Sequence, residues 1–88
     1  MSTVLTETDL AALTADSVVD ARGAACPGPL LEAKKSMGSV ALGNVLELWS
    51  TDPQTKIDVQ AWAGKVGHEF LGAVAGEGYD RVFVRRAK

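Results

Sequence analysis

Two residues able to cap a helix are each followed at once by a proline, Cys26-Pro27 and Asp52-Pro53, and each pair trails a short apolar run. Proline suits the first helical position, where its missing N–H has no intrahelical partner anyway. It does not suit the interior of a strand. A chain punctuated in this way leaves an extended segment and enters a helix twice. The first unit reads as a strand at Val18-Val19 with Asp20, then a loop over residues 22–25 in which Gly23 can take a positive φ. A helix follows from Pro27 to about Met37, with Leu30, Leu31, Lys34 and Met37 at helical spacing and Gly38 as the stop. The second unit is an apolar strand over Val45–Thr51 and a helix from Pro53 to about Ala63. Asp52 caps this second helix, Ile57, Ala61 and Trp62 share one face, and Gly64 ends it.

The remainder reads as two strands, His68–Ala75 and Tyr79–Arg86, joined by Gly76-Glu77-Gly78, a hairpin turn signal. The order β-α-β-α-β-β predicts an α/β chain of the α+β two-layer kind, with a mixed four-stranded sheet. Both helices belong on one face of it, because two right-handed crossovers running in the same direction leave them on the same side. Eighty-eight residues support one domain. We assign residues 17–88 to it and residues 1–16 to an N-terminal extension, in which Thr6 can cap a short helix over Glu7–Thr14.

Composition narrows the class. The chain is 47% hydrophobic and 23% charged, ordinary for a soluble globular protein. No apolar run approaches the roughly 20 residues that span a bilayer, and the start lacks the profile of a signal peptide. A net charge of −2 and 6% aromatic residues argue against nucleic acid as the main ligand. The charge is unevenly spread: residues 1–20 hold Glu7, Asp9, Asp16 and Asp20 with no Lys or Arg. Arg81, Arg85, Arg86 and Lys88 make the end basic, which reads as an edge strand guarded by charge or as a docking patch for an acidic partner.

Cys26 is the only cysteine, and it sits in Cys26-Pro27-Gly28-Pro29 at a helix start. The first helical turn carries unpartnered N–H groups and a partial positive charge, which favour a thiolate. Residue 29 is a proline, so the Gly28 N–H is the main backbone donor expected to face the sulfur, while Pro27 and Pro29 stiffen the helix start. The alternative is a small buried residue that happens to be cysteine. With no second thiol there is neither an internal disulfide nor a resolving cysteine. Any group taken up on Cys26 must leave to another molecule, which describes a carrier better than a self-contained enzyme. One Cys and one His, His68, fall short of a zinc ligand set, so no metal and no cofactor are expected. An unpaired reactive thiol suits a reducing cytoplasm. Asp20 and Arg22, with Gly23, read as support for the loop that leads to Cys26.

The chain resembles the TusA/SirA-type sulfur carrier proteins from about Val18 to Arg86. The resemblance rests on the residues from Asp20 to Gly23, Cys26 to Pro29 and Thr51 to Pro53, on Asp58 with Trp62, on Gly67-His68-Glu69, on Tyr79 and on the basic end of the last strand. It implies a two-layer sandwich similar to the C-terminal domain of a bacterial translation initiation factor. It also implies that Cys26 carries sulfane sulfur as a persulfide between a donor, a cysteine desulfurase or rhodanese, and an acceptor, a DsrE-type sulfurtransferase. Such relays serve tRNA thiolation, molybdenum-cofactor assembly or dissimilatory sulfur oxidation, and the carrier is expected to be a monomer. Ala25 stands where many relatives have a cationic residue, so thiolate character would lean on the helix start and Arg22. The competing readings are a monothiol glutaredoxin-like oxidoreductase and a non-catalytic interaction module.

Overall fold

The structure, a computed structural model, describes residues 15–25 and 28–88. Cys26, Pro27 and the short helix expected over Glu7–Thr14 lie outside the described residues. The elements run β1 (Ser17–Asp20), α1 (Gly28–Met37), β2 (Val45–Ser50), α2 (Thr55–Val66), β3 (Glu69–Ala75) and β4 (Asp80–Arg85). They form one mixed four-stranded sheet in the order β1-β2-β4-β3. β1 and β2 are parallel, and β4 is antiparallel to both β2 and β3. Both crossovers therefore return in the same direction, the second leaving a gap that β4 fills.

The last strand is thus central, not an edge, which corrects the edge-strand reading of the basic end. The edges are β1 and β3. Two of the basic residues are paired within the sheet: Arg81 Nε donates to Glu47 Oε2 at 2.8 Å and Arg85 Nη1 to Glu69 Oε1 at 2.9 Å. Neither charge is available as a bare guard.

Alternation sorts the sheet into two faces. Leu46 and Leu48 of β2 and Val82 and Val84 of β4 point toward the helices, where they bury against Ala33, Met37, Val59 and Ala63. Both helices accordingly cover this one face. The other face carries a second cluster of Val45, Val74 and Phe83, with Ala15 and Leu71 packed against it. A bulge in β3 between Phe70 and Gly72 brings Gly72, not Leu71, opposite Phe83.

The buried stripes of the helices differ from those expected. On α1 they are Pro29, Ala33 and Met37, and Leu31 is 55% exposed. On α2 they are Thr55, Val59 and Ala63, and Ile57 is 55% exposed. Each stripe repeats every four residues, and its small members let the helix approach the sheet closely. The largest apolar side chain is therefore a poor guide to which face turns inward. Pro29 is fully buried, so it is a packing residue as well as a helix-start residue.

The second helix also starts and ends later than its sequence signals indicate. Asp52 does not cap it directly. Its Oδ1 accepts from the Gln54 N–H at 2.9 Å and its carbonyl from the Thr55 N–H at 3.1 Å, which orders a turn ahead of Thr55. Buried Ser50 and Thr55 share a hydrogen bond of 2.7 Å that ties this turn to the end of β2. Gly64 lies inside the helix. The stop is Gly67, whose φ of 92° lets its N–H and that of His68 both reach the Ala63 carbonyl, at 2.9 and 2.8 Å. A Cβ on Gly67 would also meet Lys88 Cε at 2.9 Å. Gly67→Ala should therefore cost about 1–2 kcal/mol, read as a lower denaturation midpoint, and Gly64→Ala should cost nothing. Equal effects at the two positions would place the helix stop at neither.

Candidate functional site

The loop between β1 and α1 leads directly to Cys26, and the structure shows how its described part is held. Asp20 ends β1 and accepts from Arg22 three times: from the backbone N–H at 3.1 Å, from Nε at 2.8 Å and from Nη2 at 2.7 Å. The turn is short enough for a carboxylate to reach its own chain two residues on. The guanidinium then lies 4.9 Å from the Trp49 ring centroid and 5.0 Å from that of Tyr79, and those two rings are 5.3 Å apart. Arg22 is gripped by charge on one side and by aromatic faces on the other. Gly23, at φ 87°, donates its N–H to Thr51 Oγ1 at 3.0 Å, and the Ala21 N–H donates to the Trp49 carbonyl at 2.9 Å. β2 thus anchors the loop at both of these points.

The charge of this clamp is internally balanced. Hydrogen bonds from the Arg22 side chain and backbone hold the Asp20 carboxyl below the usual carboxylate range, and the same pairing raises the Arg22 guanidinium. The pair persists above the ordinary carboxylate pKa and is lost only as pH falls through the lowered value of Asp20. An Arg22 neutralised in this way adds little net field toward a thiolate.

Beyond the loop, the Gly28 N–H donates to the Ala25 carbonyl at 2.8 Å, joining the residues that flank positions 26 and 27. The Gly28 N–H thus has a carbonyl acceptor among the described residues, and the sulfur it is expected to face lies outside them. Pro29 is sunk in the core one residue further on, so the start of α1 is pinned from below.

Residue spacing alone does not single out Thr51, Trp49 and Tyr79 as loop holders. Thr51 and Tyr79 figured only as parts of the family resemblance, and the parallel pairing of Asp20 with Trp49 brings the stacking ring to the loop. The Trp49 indole N–H continues the network by donating to Glu47 Oε2, the acceptor of Arg81. Hydrogen bonding by Glu47 raises the Arg81 guanidinium further.

His68 lies at the opposite end of the sandwich from this loop. Its Nδ1 accepts from the Ala87 N–H at 3.2 Å, and its ring meets Trp62 edge-on at 5.4 Å. Burial, then Arg86 and Lys88, push its pKa below the usual imidazole value. A depressed imidazole stabilises the fold above its unfolded pKa of about 6.5 and loses that contribution as pH falls. Thermal stability should therefore drop between pH 7.5 and 5.5, and His68→Gln should flatten that slope. An unchanged slope in the variant would assign the acid sensitivity to other groups.

The architecture is that of a small α+β protein with two helices on one side of a mixed sheet. A SirA-like protein from Desulfitobacterium hafniense shares it with a TM-score of 0.71 at 20% identity, over 82% of this chain and 99% of that one. The family profile described as Sulfurtransferase TusA matches residues 17–86, and the chain belongs to that family. A protein of Archaeoglobus fulgidus is 42% identical over 71 residues, 81% of this chain and 97% of its own. The sulfur carrier protein TusA of Pseudomonas entomophila is 39% identical over 65% of this chain and 71% of its own. That of Allochromatium vinosum is 39% identical over 64% and 74%. The protein thus has a sulfur-transfer role and works with sulfur-transfer partners. Among the described residues no helix is long and apolar enough to cross a membrane.

Proposed function

We propose that Cys26 accepts sulfane sulfur as a persulfide and hands it to a partner protein. One observation carries the reading: the span that matches the sulfurtransferase family contains a single cysteine, on a loop whose described part is clamped from two sides. The Cys26 thiolate attacks the outer sulfur of a donor persulfide. A bond forms between Cys26 Sγ and that sulfur, the donor S–S bond breaks, and the donor thiolate leaves with the electron pair. An acceptor thiolate later attacks the same outer sulfur and releases Cys26 as a thiolate. Sulfur moves without net oxidation, and no metal or organic cofactor takes part.

The anchors order the loop before a partner arrives, which lowers the entropy lost on docking. Leu31, in the first turn of α1 and largely exposed, offers an apolar contact beside the loop. Thiolate character rests on the start of α1, since Arg22 is matched by Asp20. A cysteine desulfurase or rhodanese as donor and a DsrE-type sulfurtransferase as acceptor fit this chemistry. So do the three routes of tRNA thiolation, molybdenum-cofactor assembly and sulfur oxidation, and a reducing cytoplasm keeps the thiol free. Incubation with polysulfide should add the mass of one sulfur atom, or a small multiple, removable by reductant. A chain that emerges with unchanged mass overturns the reading.

A further inference from the structure

At the end of the sandwich farthest from the loop, the C-terminal turns of α1 and α2 and the residues after β4 enclose an open pocket of about 440 Å³. Its rim carries Lys34, Lys65, Arg86 and Lys88, and its apolar floor includes Met37 and Trp62. No Asp or Glu lines it among the described residues. Glu69, next to His68 at the start of β3, is paired with Arg85. Lys34, Lys65 and Lys88 form no ion pair among the described residues. The Arg86 guanidinium is fixed by backbone oxygens, of Val40 at 2.6 Å and of Lys88, the last residue of the sequence, at 2.9 Å. His68 borders the same pocket, and burial, then the charges of Arg86 and Lys88, lower its pKa. A chain of net charge −2 has gathered three lysines and an arginine around one concavity.

We propose that this pocket docks an acidic segment of a partner protein, one that sets a carboxylate pair against the lysines and an apolar side chain onto Met37 and Trp62. The apolar floor favours a peptide over a nucleic acid. A phosphodiester chain needs cations strung along a groove and faces for base stacking, whereas these cations ring a single pocket and Trp62 already engages His68 by an edge contact. The overall negative charge opposes a long polyanion, while a short acidic segment feels mainly the cations within a Debye length, about 8 Å. α1 separates this pocket from the Cys26 loop by its full length, about 15 Å for ten residues. A partner held here leaves the thiol end uncovered. The proposal stands apart from the sulfur chemistry and survives if Cys26 carries nothing.

The test is fluorescence anisotropy of a labelled peptide of alternating glutamate and leucine. Its lysine–leucine counterpart and a single-stranded DNA oligonucleotide serve as comparisons. Wild type should bind the acidic peptide best, with affinity falling as salt rises. Lys34→Glu/Lys65→Glu should weaken it at least about tenfold and flatten the salt dependence. Both lysines are exposed, so the unfolding midpoint should hold, and Lys34→Gln/Lys65→Gln should fall between the two. Cys26→Ser should bind as wild type does. Equal binding of the basic peptide, tighter binding of the oligonucleotide, or full affinity in the charge-reversed variant would each overturn the proposal.

Discussion

Cys26→Ser takes up no sulfane sulfur. The chain has one thiol, and no other side chain in it is a nucleophile toward a persulfide at neutral pH, so the expected loss is complete rather than graded. Serine keeps the size and the hydrogen-bonding capacity of the side chain, and the bonds described in the loop clamp run between other residues. Arg22 bonds to Asp20, and Gly23 to Thr51. The variant should therefore unfold at the wild-type temperature while failing to gain mass from polysulfide. A stable adduct on the serine variant would remove Cys26 from the carrier role and leave the sulfurtransferase family without its acceptor in this chain. Loss of the fold, by contrast, would make residue 26 a structural element of the helix start.

Phe83→Ala should be the most damaging single change to stability, at about 3–5 kcal/mol out of the 5–15 typical of a domain. Phe83 is 0% exposed, although it lies on the face of the sheet that carries no helix among the described residues. Its burial comes from its neighbours. Val45 and Val74 pack beside it, the Arg81 guanidinium lies 5.3 Å over its ring, and its partner across the ladder, Gly72, has no side chain to compete for the space. Removing the ring leaves a cavity bounded by β strands that cannot collapse without breaking the sheet. It also strips the floor from the Glu47–Arg81 pair. Denaturant unfolding should show a lower midpoint at unchanged slope. A loss below about 1 kcal/mol would show the ring to be covering, not core.

Element order was legible because it is written in local chemistry. Proline after a capping residue marks a helix entry, the Gly76-Glu77-Gly78 turn marks a hairpin, and crossover handedness puts the helices on one face. The position of Cys26 beside such an entry singles it out as the candidate site residue. What the sequence could not rank were choices between near-equivalent local signals. Gly64 and Gly67 are both able to stop a helix, and only the distance to the start of β3 selects the second. Leu31 and Ile57 looked like core on hydrophobicity, yet Ala33, Val59 and Ala63 won the interior because small residues allow the close approach of helix to sheet. Charge was the least legible of all. Arg81, Arg85 and Arg86 read as one basic end, but strand order makes β4 central and gives Arg81 to Glu47 and Arg85 to Glu69. Arg86 instead turns to the far pocket.

Taken alone, the sequence determined the α+β class, the order of elements and the single thiol, since these follow from residue identity and from contacts a few positions apart. Only the tertiary structure decided that Trp49, Tyr79 and Thr51 hold the loop, and that four basic residues meet at one end. Those outcomes depend on partners tens of residues apart, brought together by strand pairing, and no local propensity encodes which side chain will stand opposite which.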